Sequence, residues 1–378
     1  MNTYSESGVD TGIEEQAAVI LYNAAKRTWV NRRLKLGEVV APYDDFSGLR
    51  AIDAGQLPAG TFLNLGFDGV GTKAEFAELA GRYDTLAYDL LAMVCDDAVI
   101  RGGEPVLVGS ILDVNTLGTD ESRLPYIKQL AAGYIAAAEA AGVAIVNGEL
   151  AQLGDRIGKS EDFSLSWGAT VLWFAAGDRL MTGKQIRPGD TLIGLAESGL
   201  RSNGITLVRR TLEKAYGPGW VDQELNGVPL IDLALAPSII YSKAIVDMFG
   251  GWSLDQTPKA RLHGAAHITG GGLPSKLGRA LKPSGFGACI DSPMEVPNLI
   301  LHSQELSEIS DHEAYKTWHM GQGMVLITPE PHAVMSIARS HHLEANVIGT
   351  VTESPSIRIA SRGFYSGTSG WLDYPLDK

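Results

Sequence analysis

Apolar residues in the first half of the chain follow two periods, which predict alternating helices and strands. Residues 14–33 place apolar side chains on one side of a helix, whereas Leu63, Leu65 and Phe67 recur at every second position of 61–68. This second pattern is typical of a half-buried strand. The other predicted elements are a helix at 85–101, a strand at 105–114, an Ala-rich helix ending at 141, and strands at 143–148 and 165–176.

A polar stretch at 177–190, punctuated by Gly and Pro, interrupts the pattern and indicates a domain boundary. We therefore expect an N-terminal domain at 1–177 and a C-terminal domain at 178–378. The elements predicted in the second domain are strands at 190–196, 286–291, 323–328, 345–351 and 356–360, helices at 203–216, 237–249 and 331–342, a Gly-rich loop at 264–272 and an extended tail at 363–378. The alternation predicts a two-domain α/β or α+β protein.

Composition and charge exclude several classes of protein. Of the 378 residues, 45% are apolar and 20% are charged, as is usual for globular proteins. The net charge of −13 argues against surfaces for nucleic acid or anionic membranes, because both need clustered Lys and Arg. The N-terminal residues show no signal-peptide pattern, and Cys95 and Cys289 are expected to be reduced thiols. We therefore expect a cytoplasmic protein with no nucleic-acid or membrane partner.

A Gly-rich turn follows the strand predicted at 61–68. In Asp68–Lys73 the glycines permit backbone conformations in which amide groups converge on an anion. Lys73 supplies a positive charge, and Asp68 could hold Mg²⁺ beside phosphates. The order Thr72-Lys73 inverts that of a Walker A loop. The alternative interpretation is a tight strand-to-helix turn with a surface lysine.

Three carboxylates mark the helix predicted at 85–101. At about 100° per residue, Asp89 and Asp96 lie about 20° apart around the helix, and Asp97 lies about 80° away. Like charges so close would repel one another unless a cation lay among them. The alternative is a solvated acidic face, but the surrounding residues of this helix are apolar. This composition favours a site for Mg²⁺ or Mg-ATP.

Two loops in the second domain have features of phosphate-binding sites. The segment Ser198–Gly204, which contains Arg201, precedes a predicted helix whose N-terminal amide groups suit an anion. The segment Ala266–Gly272 ends in three glycines, which suggest close approach of the backbone to a ligand. The alternatives are a capped helix start and, for His267, a structural histidine. Together with the turn and the acidic helix, these loops favour phosphoryl transfer.

The order of these segments resembles the aminoimidazole ribonucleotide (AIR) synthetase family along nearly the whole chain. The matching segments are Tyr4 with Gly8-Val9-Asp10, Asp68–Lys73, Asp89–Met93, Asp97 with Gly102–Pro105, Gly148-Glu149, Ser198–Arg209 with its Ser-Asn-Gly core, Ala236-Pro237, Ala266–Gly272, and Gly321 with Gly323-Met324. Each segment alone is weakly diagnostic, but the joint pattern is specific.

The resemblance implies both an architecture and a reaction. The N-terminal domains of this family pair across a homodimer into a β-barrel, and the active site lies between the domains of each chain. The implied cofactors are ATP and Mg²⁺, and the implied substrate is a phosphorylated ribonucleotide. The enzyme would phosphorylate the formyl amide oxygen of formylglycinamidine ribonucleotide, after which an amidine nitrogen closes the imidazole ring of purine biosynthesis.

The resemblance also assigns expected roles to individual residues. The catalytic residues would be Lys73, Asp97 and His267. The ATP-binding residues would be Gly8, Asp68, Gly69, Gly71, Thr72, Lys73 and Asp89. The metal ligands would be Asp68, Asp96 and Asp97. The substrate-binding residues would be Glu149, Arg201, Ser202, Asn203, Thr269, Gly270, Gly271 and Gly272.

Four residues depart from the family pattern. The family has Asn, Glu, His and Asn where this chain has Asp96, Gln152, Arg201 and His319. We hypothesise that Arg201 contacts the phosphate or a carboxylate of the substrate. Two alternatives stay open, a divergent relative that activates another amide or carbonyl oxygen with ATP and a catalytically silent nucleotide-binding protein.

Overall fold

The computed structural model describes residues 11–41, 50–158, 163–253 and 255–376 of the chain. The chain divides into two compact units, which we call unit 1 and unit 2. Unit 1 comprises Met1–Ala98 and Glu104–Phe174, and unit 2 comprises Val99–Gly103 and Ala175–Lys378. The chain enters unit 2 for good at Ala175, close to the boundary that the sequence predicts after residue 177.

Unit 1 packs helices against a mixed four-stranded sheet. Its strands and helices are α1 (Thr11–Thr28), β1 (Thr61–Gly69), α2 (Ala74–Ala80), α3 (Leu86–Val99), β2 (Glu104–Val114), α4 (Leu124–Ala141), β3 (Ala144–Gln152) and β4 (Leu165–Ala176). The strand order is β1-β4-β2-β3, with β2 parallel to β3 and antiparallel to β4. Buried apolar residues of α3, α4 and the sheet, such as Leu90, Ile127 and Val108, form the core.

The strand predicted at 61–68 is present as β1, but its predicted burial is wrong. Leu63, Leu65 and Phe67 are exposed by 63%, 50% and 73%, and Phe62 on the opposite face is also exposed. Ile111 of β2 is exposed too. Large apolar side chains exposed on strands of one sheet are typical of an interaction surface.

Unit 2 is built on a seven-stranded sheet. Its strands are β5 (Thr191–Ala196), β6 (Glu224–Leu225), β7 (Val228–Pro229), β8 (Gly264–His267), β9 (Gly287–Ile290), β10 (Gln322–Thr328), β11 (Ala345–Thr352), β12 (Ser356–Ala360) and β13 (Trp371–Pro375). Its helices are α5 (Ile205–Tyr216), α6 (Leu230–Ala234), α7 (Ser242–Phe249), α8 (Gly272–Leu281), α9 (Asn298–Ser307), α10 (Asp311–Thr317), α11 (Pro331–Ser340) and α12 (Ser366–Ser369). The order in the sheet is β13-β12-β9-β11-β5-β10-β8, while β6 and β7 form a separate hairpin.

Several predicted elements of unit 2 differ from the observed ones. The loop predicted at 264–272 begins as the strand β8, whose four residues lack a strand-like pattern and pair with β10 through backbone hydrogen bonds. The helix predicted at 237–249 begins only at Ser242. The predicted extended tail contains the short helix α12 and then the strand β13, which is extended and pairs antiparallel with β12. The helices α9 and α10 were not predicted.

Neither cysteine is in a disulfide, as the sequence predicts. Burial, with a smaller contribution from Asp96, raises the pKa of the Cys95 thiol well above its usual value. A thiol so rarely ionised is unreactive. Among the described residues, we find no helix with the length and apolar character needed to cross a bilayer.

Glu78 in α2 carries a prediction about pH. Burial raises the pKa of this carboxyl, although its hydrogen bonds with the amide of Leu165 and with Ser164 act in the opposite direction. A raised pKa in the folded state means that stability is fully present below the unfolded pKa of about 4.3 and falls as pH rises through the folded pKa. Glu78→Gln keeps the acceptor for Leu165 without the charge. We therefore expect a higher urea midpoint than the wild type at pH 7 and equal midpoints near pH 4.

The matched control is Glu353→Gln, because Glu353 is an exposed residue of unit 2. This variant should have the wild-type urea midpoint at both pH values. A Glu78→Gln protein that is less stable than the wild type at pH 7 would contradict the interpretation.

Candidate active site

The Gly-rich turn of unit 1 follows β1, as predicted, and leads into the short helix α2, which was not predicted. It passes through Val70 and a single 3-10 turn, Gly71–Lys73, before α2 begins at Ala74. Gly71 has a φ of +66°, a conformation that favours glycine. A Cβ atom at Gly69 would lie 3.0 Å from the carbonyl oxygen of Trp167, so this position favours glycine by close packing. The carboxylate of Asp68 is exposed beside the turn.

Lys73 points into unit 1 instead of standing at the surface of the turn. Its ammonium group lies 2.8 Å from Oδ1 of Asp89 in α3, and both side chains are fully buried. The surface-lysine interpretation is therefore wrong. The geometry also argues against a direct contact between Lys73 and a phosphate in this conformation, and it gives Asp89 the role of the lysine's partner.

The three acidic positions of α3 do not face the same surroundings. Asp89 and Asp96 are both buried on one side, as the helical spacing predicts, while Asp97 is partly exposed. The described residues contain no group of three or more potential metal ligands. The expected Asp68, Asp96 and Asp97 cluster is thus not formed, because α3 turns Asp96 into the core. Mg²⁺ in nucleotide sites commonly uses one or two carboxylates with phosphates and water, so Asp68 and Asp97 still fit it chemically.

The Asn147-Gly148-Glu149 segment lies within β3 and not at its end. The strand continues to Gln152, and Asn147 and Glu149 are exposed on it. Gln152, one of the departures, accepts a hydrogen bond from the amide of Leu117 and donates one to Glu14. The amide side chain therefore has a structural role at this position.

In unit 2, three strand ends bring their loops to one edge of the sheet. β10 lies between β5 and β8 and is antiparallel to both. Gln322 at its start pairs with Ala196, the last residue of β5, and Met324 pairs with His267, the last residue of β8. The loops that follow β5 and β8 therefore leave the sheet side by side.

Arg201 in the loop after β5 is buried and bonded on two sides. Its Nη1 atom lies 2.6 Å from Oε2 of Glu197, and its Nη2 atom lies 2.7 Å from Nε2 of His267. Only 2% of Arg201 is exposed. The hypothesis that Arg201 contacts the substrate is therefore not supported in this conformation. The structure instead joins two predicted site residues, Arg201 and His267, through contacts within the protein.

Ser202 and Asn203 follow Arg201, and Asn203 lies close to the Gly-rich loop after β8. The Oγ atom of Ser202 and the Oδ1 atom of Asn203 are buried atoms with no hydrogen-bond partner in the described structure. A Cβ atom at Gly270 would lie 3.5 Å from Nδ2 of Asn203, so the two loops approach closely. Both residues therefore carry a buried polar atom that no described protein group satisfies.

Different physical reasons explain why glycine occupies each of these three successive positions. Gly270 and Gly271 are exposed, and Gly271 has a φ of +89°. Gly272 has a φ of +63°, and a Cβ atom there would overlap the carbonyl group of Tyr315 in α10. The expectation of close approach to a ligand therefore does not apply to Gly272, which internal packing explains. Thr269 is buried next to these glycines, and its carbonyl oxygen accepts from the Gly272 amide.

The sequence did not identify two buried residues of this edge, Glu197 and Gln322. Glu197 directly follows β5 and is spaced four residues from Arg201, which is the only signal in the sequence that could have suggested their pairing. Gln322 donates to the carbonyl oxygens of His319 and Met320 and accepts from the amide of Met294. Both residues hold backbone segments in place.

Comparisons with known proteins identify the family. The model described as "AIR synthase related protein, N-terminal domain" matches residues 51–172, and its C-terminal counterpart matches 187–361. The phosphoribosylformylglycinamidine cyclo-ligase of Thermococcus kodakarensis is 33% identical over 365 residues, covering 96% of this chain and 99% of the relative. That of Symbiobacterium thermophilum is 33% identical over 361 residues, covering 92% and 94%.

Solved structures of lower identity share the fold. The hydrogenase maturation protein HypE of E. coli has a TM-score of 0.61 at 15% identity and covers 96% of both chains. HypE in complex with ATP has a TM-score of 0.58 at 14% identity, covering 89% of both chains. With both domain models matched in order along the sequence, the chain belongs to the AIR synthase family.

Proposed function

We propose that this chain is an ATP-dependent ligase that converts formylglycinamidine ribonucleotide into aminoimidazole ribonucleotide in purine biosynthesis. The observation that carries the proposal is the match to cyclo-ligases at 33% identity along 96% of the chain. The geometry is compatible, since each unit presents Gly-rich loops with acidic or polar side chains beside them. Such loops suit phosphoryl transfer, in which positioning and charge neutralisation contribute most of the catalysis.

In unit 1, we assign the nucleotide to the turn after β1. The backbone of Gly71, which is exposed, and of Gly69 and Thr72, which are partly exposed, would hold phosphate oxygens, and Asp68 and Asp97 would hold Mg²⁺. ATP, when bound, supplies the phosphoryl group that makes the amide oxygen a leaving group. The buried Lys73 and Asp89 pair would keep the turn and α3 in register. Gly8, also expected to bind ATP, lies outside the described residues.

In unit 2, we assign the ribonucleotide to the two adjoining loops. Ser202 and Asn203 have polar atoms without protein partners, and they lie just before the N-terminus of α5. Such a terminus favours a phosphate, because its amide groups are unsatisfied and its dipole is positive. Thr269 with Gly270 and Gly271 would form the other side. Glu149, which is exposed on β3 of unit 1, stays a predicted substrate-binding residue.

We also propose that the protein is a cytoplasmic homodimer. The apolar side chains exposed on β1 and β2 would be covered by the same face of a second copy, as in a symmetric dimer. Covering this face would explain why Phe67 remains 73% exposed in one chain. Sedimentation equilibrium that detected only monomers would contradict the dimer.

The assay that tests the function uses the purified protein with formylglycinamidine ribonucleotide and Mg-ATP, and it measures ADP and AIR separately. Equal amounts of both products are expected. Asp97→Asn should abolish both products, whereas Asp373→Asn, a matched change at an exposed residue of β13, should alter neither. ADP without AIR would point to a divergent relative with another substrate, and neither product would point to a silent nucleotide-binding protein.

A further inference from the structure

Arg201 connects two residues that the sequence separates widely. Its guanidinium group lies 2.6 Å from the Glu197 carboxylate and 2.7 Å from Nε2 of His267. The exposed fractions of Glu197, Arg201 and His267 are 2%, 2% and 1%. Solvent therefore does not compete for these hydrogen bonds.

The chemistry of the two side chains fixes where the histidine carries its proton. A guanidinium group has only donors and stays charged at all pH values relevant to proteins. Nε2 of His267 must therefore accept the hydrogen bond from Arg201, so this nitrogen carries no proton. A neutral imidazole with an accepting Nε2 has its proton on Nδ1. We infer that Arg201 holds His267 as the neutral Nδ1–H tautomer.

Glu197 keeps Arg201 in the position that this tautomer requires. Its carboxylate also accepts hydrogen bonds from the amides of Ser198 and Ile239 and from the hydroxyl of Tyr241. These donors come from two segments of unit 2, so the carboxylate is fixed independently of the arginine. Glu197 and Arg201 are thus positioning residues for His267.

His319 lies on the same edge of the sheet and has the opposite arrangement. The amide of Gly321 donates to its Nδ1 atom at 3.1 Å, so Nδ1 accepts. Its Nε2 atom lies 2.8 Å from the carbonyl oxygen of Gly199, which can only accept, so Nε2 carries the proton. The structure therefore assigns His319 to the Nε2–H tautomer, which makes this residue an internal reference.

The assignment limits the chemistry of His267, and this step rests on the proposed function. A histidine whose Nε2 lone pair faces a fixed cation cannot take up a proton there. It can donate from Nδ1, as needed to stabilise negative charge that develops on an oxygen. We therefore assign His267 a hydrogen-bond donor role in the reaction and not that of a general base at Nε2.

The direct test is ¹⁵N NMR of protein labelled in its histidine side chains, recorded without substrate. The chain contains 8 histidines, and His267→Gln and His319→Gln variants identify the two sets of signals. In the wild type, Nδ1 should be the protonated nitrogen of His267, and Nε2 that of His319. An Nε2–H or doubly protonated His267 would overturn the inference whether or not the protein makes AIR.

A second measurement asks whether Arg201 causes the tautomer. Arg201→Met should give His267 signals of mixed tautomers, with His319 unchanged. If this variant does not fold, Glu197→Gln/Arg201→Met leaves no buried charge without a partner and should give the same spectrum. The control is Arg209→Met, which removes an arginine from the half-exposed Arg209 and Glu213 pair and should leave His267 unchanged. A pure Nδ1–H signal in the double variant would overturn the role of Arg201.

Kinetics separate this role from a purely structural one. We expect the Arg201 variants to lower kcat for AIR formation by about 10- to 100-fold, which is the size of loss seen when the hydrogen-bond partners of metal-binding histidines are mutated. KM for ATP should stay within about two-fold, because the proposed nucleotide site belongs to unit 1. Unchanged kcat in a protein whose His267 tautomer has changed would overturn the donor role.

Discussion

Replacing Lys73 with methionine is expected to destabilise the protein by about 3–5 kcal/mol, which is the usual effect of removing one partner of a buried ion pair. The Asp89 carboxylate would then remain in the core of unit 1 without its cation, since both side chains of this pair are fully buried. We also expect ATP turnover to be lost, because Lys73 ends the turn to which we assign the ATP phosphates. Urea unfolding and ADP release measure the two effects.

Two further variants distinguish the structural effect from the catalytic one. Lys73→Met/Asp89→Leu removes both charges and should recover most of the stability, since apolar residues often replace a buried pair at little loss. It should not recover ATP turnover, because the ion pair that keeps the turn and α3 in register would still be missing. Lys259→Met breaks the pair with Asp247, whose side chains are 60% and 30% exposed, and should change stability by less than about 1 kcal/mol. Wild-type stability of Lys73→Met would contradict the importance of the pair.

The helices and strands predicted best are those whose own residues show a clear hydrophobic periodicity. The helices α3 and α4 and the strands β2, β4 and β5 lie close to their predicted bounds. The turn at Asp68–Lys73 and the loops after β5 and β8 were also located, because glycines concentrate where the backbone adopts unusual conformations. Local signals of this kind need no knowledge of distant residues.

Contacts between distant segments were not predictable in the same way. Lys73 and Asp89 are 16 residues apart, and only the packing of the turn against α3 turns the lysine inward. The pairing of Arg201 with His267 joins residues 66 apart through the register of β10. β8 was missed because its backbone pairing, and not its composition, makes it a strand. The alternating pattern of β1 predicts an apolar face that is covered. It does not tell whether the same chain or another molecule covers it, so the exposure of Leu65 was not predictable.

The second large effect is expected at Gly272, where alanine should destabilise the protein by about 2–4 kcal/mol. Its φ of +63° is unfavourable for any residue with a Cβ atom, and the added methyl group would overlap the carbonyl group of Tyr315. The backbone conformation contributes about 1 kcal/mol and the overlap about 1–3 kcal/mol. Because backbone and not a flexible side chain lies in the way, α8 must shift away from α10.

That shift should also move Thr269 to Gly271, which precede α8 and to which we assign the substrate. We therefore expect Gly272→Ala to raise KM for formylglycinamidine ribonucleotide by at least about 10-fold while KM for ATP is retained, as for the loss of binding contacts to one substrate. Gly370→Ala is the matched control. Gly370 also has a positive φ, +58°, but no other atom lies within 4 Å of the position that its Cβ atom would take. It should lose only about 1 kcal/mol and keep both KM values. Equal destabilisation of the two variants would show that the overlap with Tyr315 is relieved without moving α8, and the Gly-rich loop would then be independent of α10.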